Sequence, residues 1–128
     1  MSCATAPTSV TRPVWNNGIA NPDDLFAPFV RLNVNAAPRL RVSFLLQEPT
    51  SSHLEVRPGL RYSDDGMTWG TPEAVGDFTN ATTWQWGDVF LATDNDARFV
   101  EIGLFSRYGT GGGTTSEFGL VTLQVDVP

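Results

Sequence analysis

The chain has 128 residues, of which 41% are hydrophobic and 17% charged, and its formal net charge is −6. That length and composition describe one globular domain and exclude a wholly disordered chain. The negative charge opposes binding to phosphate backbones, so we do not expect a nucleic-acid partner.

The cysteine count and the distribution of apolar residues narrow the class of protein further. Cys3 is the one cysteine, so the chain cannot close an internal disulfide and does not read as a small oxidised secreted scaffold. The start of the chain lacks the basic and apolar segments of a signal peptide, and no apolar run reaches membrane-spanning length. We expect no membrane span, and a virion or another extracellular assembly is the favoured location.

Residues 1–20 are predicted to form an extended N-terminal arm ahead of a β-sandwich domain over residues 21–128. Prolines at positions 7 and 13 oppose a helix, so the segment stays extended. Such an arm either docks on its own sheet as an edge strand or reaches a neighbouring subunit. Three apolar residues are the candidate assembly contacts of this arm: Val10, Val14 and Trp15.

Alternating apolar and polar residues predict the strands that follow. This period-two pattern covers residues 29–35 and 39–47, which the short turn at 36–38 would join as a hairpin. It returns over residues 98–108 and 118–127. A glycine between large residues in the strand 98–108, Gly103, indicates the close approach of an aromatic ring across the sheet.

Residues 57–72 predict a central hairpin. Leu60 and Tyr62 alternate with polar residues, and the following Asp64-Asp65-Gly66 tolerates the positive φ of a tight turn. The return strand is expected to begin at Met67. Asp65 and Gly66 are therefore assigned as structural turn residues.

The segment Ser63-Asp64-Asp65-Gly66-Met67-Thr68-Trp69 resembles the Ser-x-Asp-Gly-x-Thr-Trp hairpins of many extracellular and viral β-sandwich modules. It also resembles the Asp-box of sialidase-type propellers, which is one residue longer and repeats once per blade. No second copy occurs here, so the resemblance implies neither a propeller nor sialidase activity. It implies that Asp65 accepts backbone N–H groups, that Gly66 is left-handed and that Trp69 folds back over the hairpin.

Seven or eight strands at spacings near ten residues, with no long helical pattern, predict an all-β fold. The expected architecture is a single antiparallel β-sandwich of jelly-roll or Greek-key type, and a small β-barrel is the alternative.

No catalytic constellation is recognisable, so we expect the chain not to be an enzyme. The single histidine, His53, has no sequence partner for nucleophilic catalysis, and one histidine with one cysteine cannot close a zinc site. We expect no cofactor; calcium is the one cation for which the turns offer oxygen ligands. These ligands are six aspartates: Asp23, Asp24, Asp64, Asp65, Asp94 and Asp96.

A sugar-binding platform is the one candidate ligand site. Trp84 and Trp86 are two residues apart, so a strand would place both on one face, with Asp88 following and Trp69 as a further ring. The competing interpretation is that these rings pack into the core or a subunit interface.

The sequence therefore favours a non-catalytic structural or interaction protein, either a homo-oligomer or part of a larger protein lattice, such as a phage virion decoration or fibre protein. The alternative is a carbohydrate-binding β-sandwich module that uses exposed tryptophans.

Overall fold

A computed structural model describes residues 8–15, 26–33, 39–47, 49, 54–90, 97–108 and 118–126. This part of the chain forms eight strands: β1 (Thr8–Trp15), β2 (Phe26–Asn33), β3 (Arg39–Gln47), β4 (Leu54–Ser63), β5 (Glu73–Ala74), β6 (Gln85–Phe90), β7 (Phe99–Tyr108) and β8 (Phe118–Asp126). They build two antiparallel sheets of four strands each. Sheet A has the order β1-β8-β3-β6, and sheet B has the order β2-β7-β4-β5.

The strand pairs are nested. The first strand pairs with the last, β2 pairs with β7, β3 with β6, and β4 with β5. The first four strands thus pair in reverse order with the last four, and the four pairs are divided between the two sheets. The predicted single antiparallel β-sandwich is confirmed, and the described strands do not close into the alternative barrel.

The core lies between the two sheets and follows the period-two pattern of the sequence. On β8 the odd-numbered residues from Val121 to Val125 are buried while their neighbours are half-exposed. The same alternation buries Leu40 and Leu46 on β3 and Ile102 on β7. Burial of large aliphatic side chains from both sheets is the main favourable contribution to folding.

The predicted hairpin between residues 29–35 and 39–47 is wrong. The two strands exist, but β2 belongs to sheet B and β3 to sheet A. Their apolar sides, such as Val30 on β2 and Val42 on β3, both contribute to the core between the sheets. Alternation shows which side of a strand is buried and does not distinguish strands that pair from strands that face each other.

The arm prediction is corrected for the residues that the structure describes. Thr8–Trp15 pairs with β8 along its whole length, from Thr8 opposite Val125 to Trp15 opposite Phe118. Val14 is buried and Val10 packs against the core, so neither is available to a partner. The segment is thus an edge strand of its own sandwich, one of the two expected outcomes, and residues 1–7 and 16–20 lie outside the described residues.

The central hairpin has a longer loop than predicted. Its return strand is the two-residue β5, in which Glu73 lies opposite Leu60, rather than a strand beginning at Met67. A bridge between Thr79 and Val56, with two N–H···O bonds of 2.9 Å, continues the pairing beyond β5. The intervening residues instead build the turn and fold over sheet B, as described below.

Gly103 meets a backbone rather than an aromatic ring. A Cβ at this position would collide with the carbonyl oxygen of Ala27, at the irregular pairing between Pro28 and Val30 of β2. The aromatic contact predicted here occurs on the paired strand β4, where a Cβ on Gly59 would collide with the Phe105 ring. Both glycines therefore permit close packing within sheet B.

Candidate functional site

The central turn is held by side-chain hydrogen bonds. The Asp65 Oδ1 accepts the backbone N–H groups of Met67 at 2.8 Å and Thr68 at 2.9 Å, and the Ser63 hydroxyl at 3.1 Å. Gly66 has φ of +76°, and its N–H donates to the Ser63 Oγ at 2.8 Å. The Thr68 and Met67 N–H groups, then Ser63, lower the pKa of Asp65 because they stabilise its charged form. Asp65 and Gly66 thus determine the conformation of the loop that places Trp69 against sheet B.

Trp69 lies on the outer face of sheet B, against two arginines. The guanidinium carbon of Arg31 is 5.0 Å from the centre of the Trp69 ring, and that of Arg61 is 5.1 Å. Glu101 fixes these cations, since its Oε1 accepts from Arg61 Nε at 2.9 Å and Nη2 at 2.7 Å, and its Oε2 lies 3.9 Å from Arg31. Trp69 is thus held in place by cation–π contacts as well as by apolar burial.

The same chemistry continues along sheet B. Phe78 lies beneath Arg57 and Arg107, whose guanidinium carbons are 4.4 and 4.0 Å from its ring centre. Arg107 also donates to Glu55 at 2.7 Å. We call this surface the arginine–aromatic face and define it by its residues: Phe26, Arg31, Glu55, Arg57, Arg61, Trp69, Phe78, Glu101, Phe105 and Arg107.

A cleft with a volume of about 520 Å³ opens beside the central turn. We call it the turn cleft, and its lining residues are Tyr62, Ser63, Asp64, Asp65, Thr68, Trp69, Gly70 and Ala97. Hydroxyl and carboxylate groups therefore share this cleft with one indole ring. A volume of this size is in the range of small-molecule sites.

A second cavity, of about 230 Å³, lies between the sheets near β5 and β6. The core residues Val42 and Phe44 form part of its wall, together with Gln85 and Gly87 of β6. A Cβ on Gly87 would meet no atom within 4 Å. The cavity is thus present in part because β6 has a glycine opposite Val42.

Sheet A exposes a patch of aromatic and apolar side chains on its outer face. Trp15 remains 51% exposed although its ring centre is 4.7 Å from that of Phe118. The next pair along the two strands is exposed Pro13 and half-buried Leu120. We call these four residues the aromatic patch. None of them is charged, and β1 is one of the two edge strands of the sheet.

The structure describes the residues of the predicted sugar platform in part. Trp84 directly precedes β6 and is 45% exposed, and Trp86 lies within β6 opposite Ser43. Asp88 is opposite Arg41 on the same strand, and the side chains of Trp86 and Asp88 are outside the described structure. Trp69 lies on sheet B instead, beside the turn cleft.

Within the described part of the chain, no three histidine, cysteine, aspartate or glutamate residues are grouped as metal ligands. The residues Cys3, Asp23, Asp24, His53, Asp94 and Asp96 lie outside that part. None of its segments forms a helix long and apolar enough to span a membrane.

Sequence reasoning missed the arginine–aromatic face. The sequence did contain a pattern that indicates this face. Arg57 and Arg61 alternate with apolar residues on β4, as Glu101 and Arg107 do on β7, so these charged residues lie on the outer side of each strand. Their pairing required the register, which places Arg61 opposite Glu101 and Glu55 opposite Arg107.

No family model matches the chain, and no curated protein matches it. Solved structures do. The infectious bursal disease virus VP2 subviral particle has a TM-score of 0.56 and 10% identity, over 99% of this chain and 34% of that chain. The structure of the Gt strain of the same virus has a TM-score of 0.52 and 12% identity, over 99% and 33%.

A third similar structure is the C-terminal family 22 carbohydrate-binding module of Clostridium thermocellum Xyn10B. Its TM-score is 0.47 at 11% identity, over 94% of this chain and 84% of that one. The two virus structures share the fold of this chain, which spans about a third of their length.

Proposed function

We propose that the chain is a non-catalytic structural β-sandwich that assembles with copies of itself through the aromatic patch. The observation that carries this proposal is the exposure of Trp15 beside Phe118 on an edge strand. Tryptophan is among the residues most enriched at the centres of protein interfaces, where its large ring is desolvated on binding. We further infer that the nested strand pairs are those of a jelly roll.

A second copy can occupy this patch without bringing side-chain charges together. Each chain has a net charge of −6, so two copies repel over most approaches. Pro13, Trp15, Phe118 and Leu120 are uncharged, so contact between two such patches brings no side-chain charges together. A two-fold axis would place the patch of one copy on that of the other.

Edge-to-edge strand pairing is less favoured than contact between faces. Arg12 and Pro13 both lie on β1, and a charged residue or a proline on an edge strand hinders the addition of another strand. Assembly into a larger particle is compatible with the fold, because a subviral particle is described for VP2. A virion decoration or fibre role is the finer form of this proposal.

The test is the mass of the protein in solution, measured by sedimentation velocity and native mass spectrometry from about 1 to about 100 µM. We expect the wild type to exceed the 13.9 kDa of one chain and Trp15→Ser to shift toward the monomer. Trp84→Ser is the matched control, since it removes a similarly exposed tryptophan outside the patch. A monomeric wild type throughout, or a Trp15→Ser variant that assembles as well as the wild type, would contradict the proposal.

A further inference from the structure

The turn cleft has a chemistry that assembly through sheet A does not use. Its wall combines one indole, three hydroxyl-bearing side chains and two carboxylates within about 520 Å³. The aromatic patch, by contrast, has no charged group. The two surfaces therefore suit different partners.

Trp69 is held as a rigid wall of this cleft. Arg31 and Arg61 approach its ring at 5.0 and 5.1 Å, and Glu101 holds Arg61 through two short hydrogen bonds. Both arginines belong to strands of sheet B, Arg31 to β2 and Arg61 to β4, and Trp69 also lines the cleft. A ring that is already immobilised loses little conformational entropy when a ligand stacks on it.

The polar groups of the cleft fall into two sets. Ser63 and Asp65 are engaged with each other and with the backbone of the turn. Asp64 and Thr68 are exposed at the same cleft, and their carboxylate and hydroxyl can bond to a ligand without dismantling the turn.

This combination selects among ligand classes. An anionic ligand would approach the carboxylates of Asp64 and Asp65, and a wholly apolar one would cover polar groups without replacing their bonds to water. A neutral sugar ring meets both conditions, since its C–H face packs on an indole and its hydroxyls both donate and accept hydrogen bonds.

We propose that the turn cleft is a binding site for a neutral sugar residue, with Trp69 as its stacking surface and Asp64 as an acceptor for its hydroxyls. The site shares Trp69 with the platform that the sequence predicts, but Trp84, Trp86 and Asp88 are not among its described lining residues. It is also independent of the assembly proposal, because no residue of the aromatic patch contributes to the cleft.

The experiment is an NMR titration that follows the indole N–H signals of the four tryptophans. The probes are cellopentaose, xylopentaose, laminaripentaose and chitotetraose, each up to about 10 mM, with sialyllactose as the charged comparison. We expect at least one neutral probe to shift the Trp69 signal. Affinity for that probe should fall about tenfold or more in Trp69→Ala and severalfold in Asp64→Asn.

Trp84→Ala is the control for a tryptophan elsewhere and should leave the affinity unchanged, as should Trp15→Ser, which addresses assembly alone. Asp64→Asn keeps the shape of the side chain, so its effect can be read even if Trp69→Ala fails to fold. The proposal is overturned if no neutral probe shifts the Trp69 signal, if the shifts occur at other tryptophans instead, or if sialyllactose binds more tightly than every neutral probe.

Discussion

Sheet B covers much of its outer face with its own side chains, whereas sheet A leaves an aromatic patch open to solvent. On sheet B, Phe105 is buried although it lies outside the main core, because Arg57 and Phe26 pack against it. On sheet A, Trp15 has Phe118 beside it and is still half exposed. Aromatic residues on a sheet surface thus do not by themselves indicate an interface. What distinguishes the two sheets is whether other side chains of the same chain cover the aromatic rings.

Net charge also differs between the arginine–aromatic face of sheet B and the rest of the chain. The arginine–aromatic face contains four of the eight arginines and two of the fourteen carboxylates, which leaves it at +2 and the rest of the chain at −8. The arginines of this face form cation–π contacts with its aromatic rings and ion pairs with Glu55 and Glu101, and these contacts stabilise sheet B.

The largest effect is expected at Gly103 of sheet B. Gly103→Ala forces a Cβ into the backbone of Ala27, and we expect the free energy of unfolding to fall by about 3 kcal/mol. Gly87→Ala on sheet A is the control, because its Cβ would enter open space and should leave stability unchanged or raise it by up to about 1 kcal/mol. Urea denaturation measures both, and equal losses would show that the sheets do not differ in packing at these positions.

The next effect tests the ion pairs of the arginine–aromatic face. Glu101→Gln weakens the bonds to Arg61 and Arg31 at a site where the carboxylate side chain is 12% exposed, so we expect a loss of about 1 to 2 kcal/mol. Glu55→Gln affects the more exposed pair with Arg107 and should cost about 0.5 kcal/mol. A reversed order in urea denaturation would show that Glu101 does not organise this face.

A smaller loss is expected at the turn that carries Trp69 to sheet B. Gly66→Ala places a side chain at φ of +76°, which should cost about 1 kcal/mol. Thermal unfolding followed by circular dichroism measures the change. A variant as stable as the wild type would show that the turn does not require the left-handed conformation.

The smallest effect concerns pH. The folded pKa of Asp65 lies below its ordinary value of 3.8, so its ionised form contributes stability that is present above that value and is lost as the pH falls through the lower folded pKa. Asp65→Asn keeps an oxygen acceptor but does not titrate. The stability advantage of the wild type over this variant should therefore shrink below about pH 4, and a constant difference in melting temperature down to pH 2 would contradict the assignment.

The sequence predicted the sandwich because alternation reports burial directly. It also located the turn, because Asp65 and Gly66 act through local hydrogen bonds and backbone conformation. The pairing of strands was not predictable in the same way: β1 belongs to the sandwich and β2 crosses to the other sheet because of contacts distant in sequence. The arginine–aromatic face was missed for that reason, since Arg31 and Arg61 meet Trp69 only after β2 and β4 align beside β7.

We propose that copies of the chain meet through sheet A and leave the outer face of sheet B uncovered. Hydroxyl-radical footprinting of the wild type at assembling and at dilute concentrations tests it most directly, because side-chain oxidation reports exposure in each state. We expect Trp15, Phe118 and Leu120 to become protected on assembly, whereas Trp69 and Phe78 should keep their reactivity. Protection of Trp69 and Phe78, with Trp15 unchanged, would contradict it.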